Sequence, residues 1–406
     1  MKVEKKVVLP RQFRAAGIAA NIKRSGAKDM ALIVSDVPAV AAGTFTTNQV
    51  KSATVRLCLQ RIARRRGRAI VVNAGNANAC TGAQGLRNAD AMTAQTAKQL
   101  GLDKNDVYVC STGSIGVQLP MEKIRAGIEK LVPALRTTGG KDAALSICTT
   151  DRWPKFGTVR MMIDGKPVVL TAMAKGAGMI EPNMATMLCF MMTDAAVRPG
   201  DLQRCLSEAV KESFNRISVD GDMSTNDTVL FLANGAAGNK PLTTKHRDWK
   251  KFCEAVNALT LKLALSMVRD GEGATKVVAV HVNNARNDIE ADAAARSVAN
   301  SLLVKTSWAG DYPNWGRIMD AIGYSKAKVA EDKVDIAYGN IIAVKRGISA
   351  GADVHALSRI QKQERFDITI NLRLGKGSAT VYTCDIGHEY VDINVDYIKM
   401  PGKAPT

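Results

Sequence analysis

Thr186 is the single hydroxyl in the apolar run Met184–Met192, and a glycine-rich approach, Lys175-Gly-Ala-Gly, leads up to it. A hydroxyl beside a strained peptide bond can attack the preceding carbonyl, the first step of both self-cleavage and acyl transfer. Gly176 and Gly178 admit positive φ or close backbone approach, and Pro182 confines Glu181 to extended conformations. Taken alone, a threonine in such a run reads as a core or strand residue.

Four other segments hold groups that could act on a substrate. Ser111-Thr-Gly-Ser-Ile-Gly116 follows a strand, and its small residues leave backbone N–H groups free to face an anion or oxyanion. No GK[ST] closes it, so it is not a phosphate-cradling loop of that type. Ser218–Thr228 resembles a calcium loop but fails on spacing. Counted from Asp220, the sixth position is Thr225 and the twelfth is Phe231, where glycine and glutamate are needed; Asx turns are the simpler reading. Arg269–Lys276 places Asp270 and Glu272 among glycines, either as a solvated turn or as a carboxylate in a cleft that receives an amine. Pro313–Arg317 carries Trp315 and Arg317, a packing anchor or a site wall.

The elements that must position these groups follow from periodicity. Strands are expected at Ala69–Asn73, Val107–Cys110, 228–235 and 276–283, with a hairpin over 157–174 turning at Asp164-Gly165. Helices are expected over 88–102, from Met121 after Pro120, over 202–217 and 249–268, and over the Ala-rich stretch 289–304. The segment from Phe366 to Tyr397 alternates apolar and polar residues and reads as an antiparallel meander. Mixed strands, helices and hairpins argue for a layered α/β or α+β protein.

The 406 residues, 46% of them hydrophobic, suffice for a real core and more than one subdomain. No run approaches a membrane span, and the start MKVEKKVVLPRQFRAAG lacks a secretory h-region, so a cytoplasmic protein is expected. The net charge of +18 raises nucleic acid as a partner. The densest cluster, Arg61, Arg64, Arg65, Arg66 and Arg68, has no interleaved aromatic for base stacking; a solvated helix end is the plainer account, and no nucleic acid is expected. The eight cysteines and four histidines show no zinc spacing, so no metal is expected and the thiols read as reduced and mostly buried.

Taken together, these segments resemble the ornithine acetyltransferase family, also called glutamate N-acetyltransferase. The motifs are FRAAGIAANIK, VVNAGNANACTG, STGSIG, CTTD, KGAGMIEPNMATML, DGDMSTNDT, RDGEGATK, NWGRIMDAIGYS and INVDY. They occur in the family's order, across nearly the whole chain.

The resemblance implies an α/β/β/α sandwich cut between Ala185 and Thr186 into two intertwined chains, 1–185 and 186–406, assembled as a heterotetramer of two copies of each. It implies Thr186 as nucleophile, with the new α-amine as its base, and Thr112 and Gly113 as the oxyanion hole. Substrate contacts carry over to Thr149, Lys175, Thr186, Glu272 and Asn394. By charge as well, Lys175 suits a carboxylate and Glu272 an amino group. The implied reaction carries acetyl from N-acetylornithine to glutamate without a cofactor. Some members also use acetyl-CoA, which enters as a further candidate substrate. A related N-terminal-nucleophile amidohydrolase or aminopeptidase is the alternative enzyme, and a basic nucleic-acid-binding protein the alternative outside catalysis. The chain departs from the family pattern at Arg152, at Tyr312 and in its tail IKMPGKAPT, where Lys399 stands near the family's last substrate contact and Thr406 is displaced.

Overall fold

The computed structural model describes residues 1–181 and 187–399. Its first unit runs from β1 (Phe13–Ile18) and β2 (Met30–Phe45) through α1 (Ala53–Ile62), β3 (Arg66–Asn76), α2 (Gly82–Leu100), β4 (Val107–Ser114), α3 (Met121–Leu131) and α4 (Gly140–Ser146). It continues with β5 (Lys155–Ile163), β6 (Lys166–Lys175), β7 (Leu188–Thr193), α5 (Pro199–Lys211), β8 (Thr228–Ala233) and α6 (Trp249–Arg269). Its strands form one sheet in the order β4-β3-β2-β8-β7-β6-β5, with β1 also on β2.

That sheet folds over on itself at β2. The register of β2 against β3 shifts between Val34 and Ala39, where Pro38 cannot donate to a ladder. Beyond the shift β2 pairs with β8. The residues of β6, β7 and β8 then divide by alternation, as a strand's period of two requires. Met173, Phe190, Met192, Leu230 and Leu232 pack towards β1–β4 and α1–α4. Ala174, Cys189, Met191, Val229 and Phe231 pack towards α5 and α6. The result is the expected α/β/β/α sandwich. Each fully buried Met, Leu, Val or Phe side chain among these contributes about 1.5–3 kcal/mol relative to exposure.

The second unit holds β9 (Val277–Ala285), α7 (Asp288–Asn300), α8 (Leu302–Ala309), α9 (Trp315–Gly323), β10 (Asp335–Tyr338), β11 (Ile341–Lys345) and β12 (Ile348–Ser349). It ends with α10 (Val354–Gln361), β13 (Arg365–Asn371), β14 (Gly377–Cys384) and α11 (His388–Lys399). Its sheet order is β12-β11-β10-β13-β9-β14, and its core is separate.

Here the expected meander fails. β13 and β14 do not pair; β9 lies between them, parallel to β13 and antiparallel to β14. The INVDY segment lies in α11. Alternation marks which residues share a face but not which strand is the neighbour, and Tyr390, Ile393, Asn394 and Tyr397 carry helical spacing equally well.

Other bounds also moved. Ser301 accepts from Val304 N as an N-cap, which divides 289–304 between α7 and α8. The 202–217 helix stops at Lys211, and α2 starts at Gly82. The 157–174 hairpin is as expected, with Asp164 and Gly165 both at positive φ (50° and 71°), as a two-residue primed turn requires.

The arginine cluster is not simply a solvated helix end. Arg61 is buried, donating to Val107 O at 2.6 Å and pairing with Asp90. Arg64 and Arg66 pair with Asp103 and Asp106. Arg68 donates to the carbonyls of Ser35 and Asp36. Trp315 and Arg317 are packing residues: Trp315 sits against the second core, and Arg317 donates to Leu303 O. Among the described residues, no helix is long and apolar enough to cross a membrane.

Candidate active site

The second sheet delivers its residues to the first through antiparallel pairing. Cys384 at the end of β14 lies opposite Val277 at the start of β9. The turn before β9 and the helix after β14 therefore emerge side by side. Thr275 N and Oγ1 both donate to Asp385, which locks that junction. Glu272 comes from the turn, and Tyr390 and Asn394 from α11.

These meet the ends of β3, β4 and β6 in a cavity of about 360 Å³, within the usual range of small-molecule sites. Thr112, Gly113, Thr149, Lys175, Glu272 and Asn394 all line it. Every proposed site residue that the structure describes is thus brought to one place. Ala185 and Thr186 lie outside the described residues, as does Thr406. Met187 is buried, and its N–H donates to Asp227 Oδ1 at 2.8 Å.

Thr112 and Lys175 form the polar floor. Lys175 Nζ donates to Thr112 Oγ1 at 3.2 Å, both side chains buried. A hydroxyl that accepts from an ammonium keeps its own proton to donate. Gly113 has φ +129°, and an added Cβ would run into the Gly75–Asn76 backbone. Only glycine fits this turn, where the β3 and β4 backbones come close.

Asp151 binds two walls together. Its Oδ2 accepts from Thr149 N at 3.0 Å and its Oδ1 from Gly176 N at 2.7 Å and Lys155 Nζ at 2.6 Å. Burial would raise its pKa, but Lys155, Lys175 and the Gly176 N–H hold it down to about 2. Lys155 also donates to Asp270 Oδ2 at 2.5 Å. Arg152, the departure after CTTD, donates to Asp270 Oδ1 at 3.0 Å. Asp270 is therefore a buried anchor, while its near neighbour Glu272 faces the cavity.

Glu272 explains Gly178. The Glu272 Oε1 atom lies 2.6 Å from where a Gly178 Cβ would stand; the glycine is there for side-chain approach rather than for a bend. Glu272 Oε2 accepts from Asn394 Nδ2 at 3.0 Å. Gly178→Ala should leave stability nearly unchanged, because a carboxylate end can move aside. The displaced Glu272 should raise the KM of the amine-bearing acceptor by about tenfold, the loss of one charged contact. Steady-state kinetics beside a thermal melt would check both halves.

Sequence reading missed several lining or supporting residues. The Ser218–Thr228 loop gives Asp220, Asp222, Thr225 and Asn226 to the cavity wall. Asn226 Nδ2 donates to Ala77 O at 2.7 Å and Ser111 O at 2.8 Å, which ties this loop to the ends of β3 and β4. Asp220 accepts from the N–H groups of Met179 and Ile180. Burial nevertheless raises its pKa. Asp227 is fully buried and pushed well above the carboxylate range by desolvation, against the Met187 N–H and Lys175. The signal was present as five polar groups crowded before a strand, but read locally they suggested only Asx turns.

A possible cation group lies elsewhere, at Asp164, His246 and Asp248. His246 Nδ1 accepts from Asp248 N at 3.1 Å, so Nε2 carries the proton towards Asp164 Oδ2 at 3.1 Å. This is a hydrogen-bonded knot that holds the β5–β6 turn.

The sequence model of the ArgJ family matches residues 14–399. The arginine biosynthesis bifunctional protein ArgJ of Geobacter sulfurreducens is 47% identical over 386 residues, covering 95% of this chain and 98% of that protein. The protein of the same name from Caldanaerobacter subterraneus is 44% identical over 396 residues, covering 97% and 98%. A crystal structure of arginine biosynthesis bifunctional protein ArgJ from Bacillus halodurans aligns with TM-score 0.50 and 42% identity, covering 51% of this chain and 98% of that one. A family match across nearly the whole chain, together with these relatives, means that this chain belongs to the ArgJ family of arginine biosynthesis.

Proposed function

We propose that this ArgJ-family acetyltransferase cuts itself between Ala185 and Thr186, then moves acetyl from N-acetylornithine to glutamate through an ester on Thr186. The observation that carries this reading is the meeting of Thr112, Gly113, Thr149, Lys175, Glu272 and Asn394 around one cavity. In the cut, Thr186 Oγ adds to the Ala185 carbonyl, the amide C–N bond breaks with its proton going to nitrogen, and water hydrolyses the ester. The freed α-amine, with pKa near ~8, then takes the Oγ proton at neutral pH. Oγ attacks the acetyl carbonyl of the donor, and ornithine leaves with the transferred proton. The glutamate amine attacks the ester, and Oγ regains its proton.

Thr112 and Gly113 would hold the oxyanion of each tetrahedral intermediate, one such donor being worth about 3 kcal/mol of barrier. Lys175, whose Nζ donates to Thr112 Oγ1, would receive a substrate carboxylate and polarise Thr112.

The sheet supports retention of both fragments after the cut. β6 and β7 pair from Leu170↔Thr193 to Lys175↔Leu188, so 1–185 and 186–406 share one continuous ladder. The Bacillus halodurans chain, matched over nearly all its length to half of this one, also fits a two-fragment protein. In the cytoplasm the fragments would assemble as a heterotetramer, two of each.

Denaturing electrophoresis should resolve two bands, and N-terminal sequencing of one should read TMLCF. They should co-elute before denaturation. A single uncut band from protein active in acetylornithine–glutamate exchange would overturn the mechanism. Acetylornithine hydrolysis without transfer to glutamate would favour an amidohydrolase. The relatives' name, bifunctional, supports a second activity; glutamate acetylation from acetyl-CoA in the absence of acetylornithine would establish it.

A further inference from the structure

We infer that Asp222 is the residue that selects the cationic side chain of the acetyl donor, by pairing with its terminal ammonium at the cavity mouth. The inference rests on the acetylornithine reading and adds a residue for which that reading has no role.

Among the described residues, the cavity is lined by three carboxylates, Asp220, Asp222 and Glu272, against one cation, Lys175. In a chain of net charge +18, this is a local reversal of sign. Two of the carboxylates are engaged. Asp220 accepts from Met179 N at 2.5 Å, Ile180 N at 2.7 Å and, more weakly, Asp222 N at 3.3 Å and Tyr390 Oη at 3.5 Å. Glu272 is held by Asn394. Asp222 is exposed at the mouth, and among the described residues its carboxylate has no ion-pair or hydrogen-bond partner.

The floor, where Lys175 meets Thr112, is where the reacting carbonyl and the α-carboxylate belong. A donor anchored there points its side chain to the mouth. An extended ornithine side chain ends in an ammonium, and the open anion at that end is Asp222. Tyr390 lines the same cavity and donates to Asp220 Oδ2 at 3.5 Å; its ring gives the aliphatic stem an apolar edge to lie on. Glutamate, the acceptor, brings a carboxylate to the same mouth. One residue should therefore act on the two half-reactions with opposite sign.

The test uses the self-processed full-length protein and measures the two substrates separately. For Asp222→Asn, the acetylornithine kcat/KM should fall about tenfold, chiefly through KM, while the glutamate KM should fall or stay level. Asp222→Lys should weaken the donor further and tighten glutamate. N-Acetylnorvaline has the same skeleton without the ammonium. It should be a poor donor for the wild type and no worse for Asp222→Asn. A rise of both KM values together would mark Asp222 as structural only and overturn the inference. So would an unchanged acetylornithine KM, or an equal loss with acetylnorvaline. Wild-type protein that transfers no acetyl from acetylornithine would instead refute the functional reading beneath it.

Discussion

Thr186→Ala should yield an uncut chain of 406 residues whose acetyl transfer is lower by on the order of 10⁴-fold or more, as for loss of a covalent nucleophile. Both losses have one cause. Without Oγ there is no attack on the Ala185 carbonyl, so no free α-amine appears, and there is no atom to carry acetyl. The neighbouring framework should survive. Met187 is held on one side by Asp227 and on the other by Thr228, whose N–H donates to Met187 O at 3.0 Å. These bonds use only the backbone of residue 187 and are indifferent to the side chain before it. The variant should therefore melt like a well-folded protein.

Thr186→Ser separates the hydroxyl from the methyl. It should still cut and still transfer, more slowly, because serine lacks the β-branch that limits χ1. An alanine variant with near-normal exchange would show that the nucleophile is another residue. An alanine variant that is cut but inactive would separate cleavage from catalysis and remove the shared-nucleophile mechanism.

Much of this site was legible because its chemistry is concentrated in short motifs. STGSIG, CTTD and RDGEGATK each hold a residue that faces the cavity, and glycine beside a polar residue marks where backbone must come close. What stayed hidden depends on contacts between distant segments. Nothing near Gly178 in the sequence announces that Glu272, far along the chain, occupies the space of its missing side chain. Asn226 reads as a loop residue until its two carbonyl partners, Ala77 and Ser111, are known.

The fold followed the same rule. The Asp164-Gly165 hairpin is local and was readable. The insertion of β9 between β13 and β14 is not local, because pairing partners are set by which sheet edge is open. The doubled-over sheet likewise depends on one bulge in β2, for which Pro38 was the only mark in the sequence.

Lys155→Met should destabilise the protein by about 3–5 kcal/mol, the usual cost of breaking a buried ion pair by removing one partner. Lys155 has no exposed side-chain surface, nor do Asp151 and Asp270, the carboxylates it joins. Methionine fills similar volume but leaves two buried anions facing each other. Arg152 still reaches Asp270, and Gly176 N still reaches Asp151, so the loss should fall short of complete unfolding. The pH dependence identifies the cause. Asp151 is held down to about 2 from an unfolded value near ~4. A depressed carboxyl contributes stability above its unfolded pKa and loses it as pH falls through the folded one. The lysine is its leading cationic partner. Urea titrations of both proteins should therefore differ most near neutral pH, and the gap should narrow as pH drops from about 4 towards 2. Lys155, whose pKa the two carboxylates raise against its burial, contributes below its ordinary value near ~10.4 and loses this at higher pH. The site should also suffer in the folded fraction, since Asp151 holds both Thr149 and Gly176 in place. A higher acetylornithine KM with the same pH-dependent stability loss would tie the ion cluster to the cavity wall. A variant within 1 kcal/mol of the wild type at neutral pH would mean that its carboxylates find other partners or protonate cheaply, and the cluster would not be what holds these walls together.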